Sequence, residues 1–341
     1  MPSPLLARAG AWLLESGIQE PGGGVARYYR ADLAQNVPVS TEITGYAVSG
    51  FVEFEERTGD ARYLDAASRA ARFLAGAWDR SGEAFPFELS PQPGAYFFDT
   101  GIIIRGLLRL WRRTEDNEWL DLAARAGLAL ARDFRDGEGR WHPILDLRTK
   151  APAPRDARWS RSPGCYQLKS ALAWNDLFLA TGDSRFCGWY EEALRDALRT
   201  HETFLPGAPE EERVMDRLHA YCYFLEGLLP RLDRDECAAA AREGIERVAG
   251  FLRRIGTRFA RSDVYAQLAR MRLLTGQDAD EDARRLAAFQ ARSDDPRVDG
   301  GFHFARRGDG LVPHINPVST VFAVQALEMQ SDAQAGWQSL I

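Results

Sequence analysis

The residues best suited to chemistry lie in Met215–Pro230 (Met-Asp-Arg-Leu-His-Ala-Tyr-Cys-Tyr-Phe-Leu-Glu-Gly-Leu-Leu-Pro). Asp216, His219, Tyr223 and Glu226 recur at helical spacing and share one face. The positions around them are apolar. A surface helix carries a broad polar face, not a thin seam of acid, imidazole, phenol and acid. Such a seam fits a helix that packs in protein on its back and faces a wet cavity on its front. Carboxylates and an imidazole held there could transfer protons.

Further acids stand where other buried helices begin. Glu42 opens one after Ser40-Thr41, Asp99 follows Tyr96-Phe97-Phe98, and Asp263 follows Arg261-Ser262. Each alone could be a helix cap or a dipole partner. Together with Asp216 they imply one rim of unpaired carboxylates, which is costly without a role. Glu42, Asp99, Asp216, His219 and Asp263 are therefore the expected catalytic set. Around them, the rim-loop aromatics Tyr28, Tyr29, Phe87, Tyr96, Trp141, Trp159 and Phe302 supply rings on which sugar C–H faces could stack, and Tyr46, Tyr166 and Tyr223 on the polar seams of the inner helices join the expected substrate-binding set. Arg30, Arg161, Lys169, Arg217 and Arg261 add positive charge for an anionic group such as a uronic acid. His303, His314 and Asn316 complete the expected substrate-binding set. No cofactor is expected, and no metal: the cysteines form no CxxC pair, and His303 and His314 have no evident third ligand.

The elements that would position these residues repeat along the chain. Thr58-Gly59-Asp60, Thr114-Glu115-Asp116, Thr181-Gly182-Asp183 and Thr275-Gly276-Gln277-Asp278 each read as a turn between two helices. Gly ends one helix and Asp begins the next. Asp79–Pro86, Asp136–Pro143, Asp299–Phe304 and Gly22–Tyr28 are Gly-rich turns that run into aromatic extended segments. Two kinds of helix alternate between these marks. Ile43–Glu56, Gly101–Arg112, Tyr166–Ala180, Leu218–Leu229, Val264–Leu274 and Val318–Met329 are apolar nearly all round. Leu5–Ser16, Tyr63–Trp78, Trp119–Phe134, Phe186–Thr203, Glu236–Ile255 and Ala279–Arg292 are amphipathic. An inner and an outer ring follow, closed when the first outer helix meets the last inner one. The expected fold is an all-α (α/α)6 toroid spanning 1–341 as one domain, with Lys150–Arg158 as an inserted rim loop.

Composition narrows the class. With 341 residues and 45% hydrophobic content the chain can bury a large core. A net charge of −6 is unlike a nucleic-acid surface, and no apolar run is long enough for a bilayer. No basic, then apolar, leader is visible, so a cytoplasmic location is expected.

Ser40–Tyr46, His219–Leu229 and His314–Leu327 resemble blocks of (α/α)6-toroid proteins from bacterial polysaccharide gene clusters. That architecture is shared by glycoside hydrolases, uronate lyases and epimerases, and terpenoid-cyclase-like toroids. The Asp-rich cyclase motif and the Cys/Cys/His zinc pattern of lanthionine cyclases are not evident. The resemblance implies a carbohydrate-active enzyme, foremost a glycoside hydrolase acting on a bacterial exopolysaccharide or oligosaccharide. Glu42 and Asp216 would face each other across the ring, with Asp99 and Asp263 in reserve. A uronate lyase or epimerase is the alternative, with His219 and Tyr223 as base and acid and Arg217 and Asn316 as carboxylate clamp. A non-catalytic glycan-binding toroid is the third reading.

Overall fold

The computed structural model describes residues 3–80, 83–89, 94–137, 139–154, 158–205, 211–331 and 336–341. Parts of three expected connections, at 81–82, 138 and 155–157, lie outside the described residues. Among the described residues, twelve α-helices alternate between two rings. The outer ring is α1 (Pro4–Glu15), α3 (Ala61–Arg80), α5 (Asn117–Phe134), α7 (Ser184–Thr200), α9 (Asp235–Ile255) and α11 (Asp280–Ala287). The inner ring is α2 (Thr41–Thr58), α4 (Phe97–Thr114), α6 (Gln167–Thr181), α8 (Glu211–Gly227), α10 (Ser262–Leu274) and α12 (Pro317–Met329). Each inner helix packs on the next, and α12 packs back on α2 and on α1, which closes the toroid. A continuous apolar core joins the two rings.

Local chemistry sets the hairpins. Gly59 and Gly182 end α2 and α6 in the left-handed conformation, at φ 70° and 73°. Asp183 then accepts from the Arg185 N–H and starts α7. The second turn lacks the glycine, and Glu115 itself takes φ 58° there. The inner helices sit close where side chains vanish. A Cβ on Gly45 would lie 2.9 Å from Ile103 Cα, so α2 and α4 touch almost backbone to backbone.

Three small antiparallel sheets among the described residues gather at one end. β1 (Tyr29–Arg30) pairs with β2 (Gln35–Asn36) and with β8 (His314–Ile315). β3 (Gly94–Tyr96) pairs with β4 (Ile144–Asp146). β5 (Phe259–Arg261) pairs with β6 (Ala305–Arg307), which pairs with β7 (Gly310–Leu311). β3 and β5 run directly into α4 and α10, and β8 leads into α12, so the sheets rim the N-terminal ends of the inner helices. At the opposite end, the segment after α12 returns to the barrel base and buries Leu340 and Ile341. No helix among the described residues is long and apolar enough to cross a membrane.

Candidate active site

The rim end holds two distinct polar clusters. The first is formed by α2 and α4. Glu42 lies in the first turn of α2, and Asp99 in the first turn of α4. Ser40 supplies the α2 cap, accepting from the Ile43 N–H, so Glu42 is left free of that task. Asp99 is only 4% exposed, and its Oδ2 has no hydrogen-bond partner among the described residues. Burial raises the Asp99 pKa well above the ordinary carboxylate value, and the nearby Glu42 charge raises it further. Burial likewise lifts Glu42 from 4.5 to about 7, opposed by the cationic Arg27. Arg27 itself pairs with Glu88 at 3.1 Å. Helix N-termini stabilise anions, yet here burial prevails over that field. The result is a carboxyl pair that holds a proton near neutral pH.

The second cluster is formed by α8, β5 and α10. Arg261 pairs through Nε with Asp263 Oδ1 at 3.0 Å and through Nη1 with Asp216 Oδ1 at 2.9 Å. His219 Nδ1 lies 2.9 Å from Gln267 Oε1 and 3.3 Å from Asp263 Oδ2. Two acceptors face Nδ1, so the ring proton belongs there and Nε2 keeps its lone pair. Burial lowers the His219 pKa from 6.5 to about 4, so the ring is neutral at pH 7. Burial alone would raise Asp263, but Arg261 and His219 outweigh it and hold its pKa below the ordinary value.

Between the clusters runs an aromatic floor. Tyr46 on α2 donates to the Tyr223 hydroxyl on α8 at 3.0 Å, which links opposite walls. Phe98 lies 4.6 Å and His219 4.4 Å from the Tyr223 ring, centroid to centroid. Tyr46 is four residues beyond Glu42, about one helical turn or 5 Å below it.

All five residues expected to be catalytic sit at the rim end, but their pairings differ from the expectation. Glu42 neighbours Asp99, on the adjacent helix. Asp216 has a half-exposed side chain bound by Arg261, and His219 turns instead to Asp263 and Gln267. The i, i+3 spacing allowed an Asp216–His219 contact, but the Arg261 fork offers Asp216 a stronger, charge-assisted partner.

The expected substrate-binding residues divide. Tyr46 and Tyr223 form the floor. Trp159 stands edge-on to Tyr166 at 5.0 Å, and the Tyr166 hydroxyl donates to the Ser162 carbonyl, so that ring braces the loop. Arg217 donates to the Phe204 carbonyl and lies over its ring, with no carboxylate partner among the described residues. Arg161 is half-buried near Tyr96. Arg30 is neutralised by Asp32. Tyr29 is buried under Arg297. His314 stacks on Tyr28 at 4.6 Å, and His303 Nδ1 meets the Val312 carbonyl at 2.8 Å. Asn316 is the N-cap of α12 and accepts from the Ser319 N–H. Lys169 is fully buried below the floor, 2.9 Å from Glu226 Oε2, where no rim-bound ligand reaches it. Among the described residues no three His, Cys, Asp or Glu side chains cluster as metal ligands.

The sequence reading missed two participants. Arg27 faces Glu42 from the loop before β1, and Gln267 orients His219. Gln267 and Arg270 follow Asp263 at i+4 and i+7 on an otherwise apolar helix, a spacing from which Gln267 was legible. Arg27 stands in an irregular loop and gave no periodic signal.

No protein-family model and no curated protein sequence matches the chain. Solved structures do. An α-amylase from Clostridium perfringens superposes with a TM-score of 0.69 at 13% identity, over 96% of this chain and 99% of that one. A cellobiose 2-epimerase from Spirochaeta thermophila gives 0.67 at 16% identity, over 97% and 100%. An inactive variant of an α-1,6-mannanase from Salegentibacter sp. gives 0.64 at 10% identity, over 97% and 100%. These are (α/α)6-toroid enzymes, and at such identities the likeness establishes the fold: the chain is an (α/α)6 toroid.

Proposed function

We propose that this toroid is a carbohydrate-active enzyme, a glycoside hydrolase acting on a bacterial oligosaccharide or polysaccharide. The observation that carries the reading is the Glu42–Asp99 pair: two carboxyls at the rim, neither in an ion pair among the described residues, both biased toward holding a proton. Glycosidic cleavage needs one carboxylic acid to protonate the leaving oxygen and one carboxylate to activate water or attack the anomeric carbon. Asp99, more deeply buried and raised by its neighbour, is the acid. Glu42, which Arg27 draws toward ionisation, is the carboxylate. The buried Tyr46–Tyr223 pair closes the lumen one turn below them. Arg217, free of any acidic partner among the described residues, would receive a carboxylate if the sugar is a uronic acid. Several structures with the same fold carry the names of glycan-processing enzymes, which supports the substrate class. One continuous core supports a single domain, and four free cysteines suit the cytoplasmic location we assign.

His219 supports a second reading. A neutral imidazole with Nδ1 engaged and Nε2 unprotonated is a ready base for removing a proton next to a carboxylate or carbonyl, as a lyase or epimerase requires. The test is a panel of bacterial glycans incubated with the protein and read by mass spectrometry. Fragments that gain one water mean hydrolysis. Unsaturated fragments without that gain mean elimination, and an isomer of unchanged mass means epimerisation. Under the leading reading, Asp99→Asn and Glu42→Gln lose roughly a hundred- to ten-thousand-fold in rate, and His219→Gln loses less. The reverse order moves the chemistry to His219. Binding without any product would make the toroid a glycan-binding protein.

A further inference from the structure

The end of the barrel opposite the rim contains a second built site, and the chain itself fills it. Segment 336–341 enters the base with Leu340 4% and Ile341 3% exposed. Its main-chain oxygens meet a set of donors from four inner helices. Arg109 Nη1 on α4 donates to the Ser339 carbonyl at 2.7 Å, and Arg105 Nη2 donates to the Leu340 carbonyl at 2.9 Å. Lys169 Nζ on α6 donates to Ile341 O at 2.9 Å, and Arg270 Nη1 on α10 reaches the same atom at 3.4 Å. Gln325 on α12 holds the segment twice. Its Nε2 donates to the Ser339 carbonyl at 2.8 Å, and its Oε1 accepts from the Ile341 N–H at 3.0 Å.

Each of these cations is also held by an acid on the inner helices. Arg105 pairs with Asp176 at 2.9 Å, Arg109 with Glu53 and Glu56, and both Lys169 and Arg270 with Glu226. Gln325 Nε2 also donates to Glu53 Oε2 at 3.0 Å. Acids hold the cations, and the cations present their remaining N–H groups inward. Pre-organised donors lose little entropy on binding. A cleft of about 450 Å³, lined by Arg109, Asp176, Gln338 and Ser339 among others, opens beside the segment.

We infer that the barrel base is a peptide-binding site, and that segment 336–341 is its detachable occupant. The ligand class is an extended peptide with three consecutive main-chain acceptors, the second and third on residues with aliphatic side chains. The site stands independently of which reaction the rim performs.

The test uses a synthetic peptide, Gly-Trp-Gln-Ser-Leu-Ile, carrying a fluorescent label on its amino end. Leu340→Asp in the full chain places a charge in an apolar pocket and should eject the segment while leaving the helices intact by circular dichroism. The labelled peptide should then bind Leu340→Asp by anisotropy but not the parent chain, whose site is filled. Adding Gln325→Ala to Leu340→Asp should weaken that binding roughly tenfold or more, the worth of one or two hydrogen bonds. A chain shortened after Ser331 provides the second variant and should bind the peptide and gain thermal stability from it. The inference is overturned if neither variant binds the peptide, or if the parent chain binds it equally well. Loss of rim activity with normal peptide binding would count against the proposed reaction and leave this site standing.

Discussion

Glu42→Gln should abolish turnover and yet stabilise the protein above neutral pH. The folded state holds the Glu42 proton more tightly than the unfolded chain does, with a pKa of about 7 against 4.5. A carboxyl with a raised folded pKa contributes nothing adverse below about pH 4.5, where both states are protonated. As pH rises from about 4.5 to about 7, the unfolded chain releases this proton while the folded state keeps it, so stability falls across that window and levels off above it. At about 1.4 kcal/mol per pKa unit, that displacement amounts to about 3 kcal/mol by pH 8. Glu42 is only half-buried, so water screening makes this an upper bound. Urea unfolding of the parent and of Glu42→Gln, each at pH 4, 6 and 8, measures it. The two curves should coincide at pH 4 and separate progressively, with the Glu42→Gln variant the more stable at pH 8. Parallel curves, or a parent chain that gains stability over this range, would refute the claim that the carboxyl is held unpaired. The same variant removes the charge that raises Asp99, so any residual activity should titrate at lower pH than in the parent.

Two further outcomes test the scaffold. Glu226→Gln leaves Lys169 and Arg270 buried without their acid and should cost about 3–5 kcal/mol in urea unfolding, because burial of an uncompensated charge is the dominant loss. Gly101→Ala drives a methyl group into the Ser170 backbone and hydroxyl where α4 crosses α6, and should cost about 1–3 kcal/mol as a lowered thermal midpoint.

The inner and outer rings were legible because their signals are local. Apolar runs broken by Thr-Gly-Asp turns mark the hairpins, and the helix bounds fall within a few residues of those expected. Two differ more. α8 starts at Glu211, before both Met215 and Leu218, because exposed Arg213 and Asp216 interrupt the apolar pattern that marks the inner helices. α11 ends at Ala287, well before Arg292, because Phe289 and Ala291 leave the helix to pack in the core. The partnership of Glu42 with Asp99 was not legible. It depends on the register in which Gly45 meets Ile103 between α2 and α4, and no spacing within one helix encodes that. The occupant of the barrel base was missed for a related reason. Its only sequence signal is the set of cations Arg105, Arg109, Lys169 and Arg270 on otherwise apolar helices, which implies buried acceptors but not where in the chain they lie.

Ring closure also has a consequence for synthesis on the ribosome. Trp12 in α1 donates to the Arg297 carbonyl, Arg8 pairs with Asp299, and Ser3 donates to Glu328. α1 is translated well before α12; Phe54 and Tyr63 of the α2–α3 hairpin meet it at Gly10, but its contacts with the region around α12 must wait for that region to emerge. Until then Trp12, which packs against Gly301 in the finished fold, remains available to other apolar surfaces. Contacts of such long sequence separation slow folding, and nascent chains that wait for them are prone to association. Holding chaperones should therefore matter more for the yield of this protein than for an open helical array, whose repeats each find a partner as soon as the next one is made.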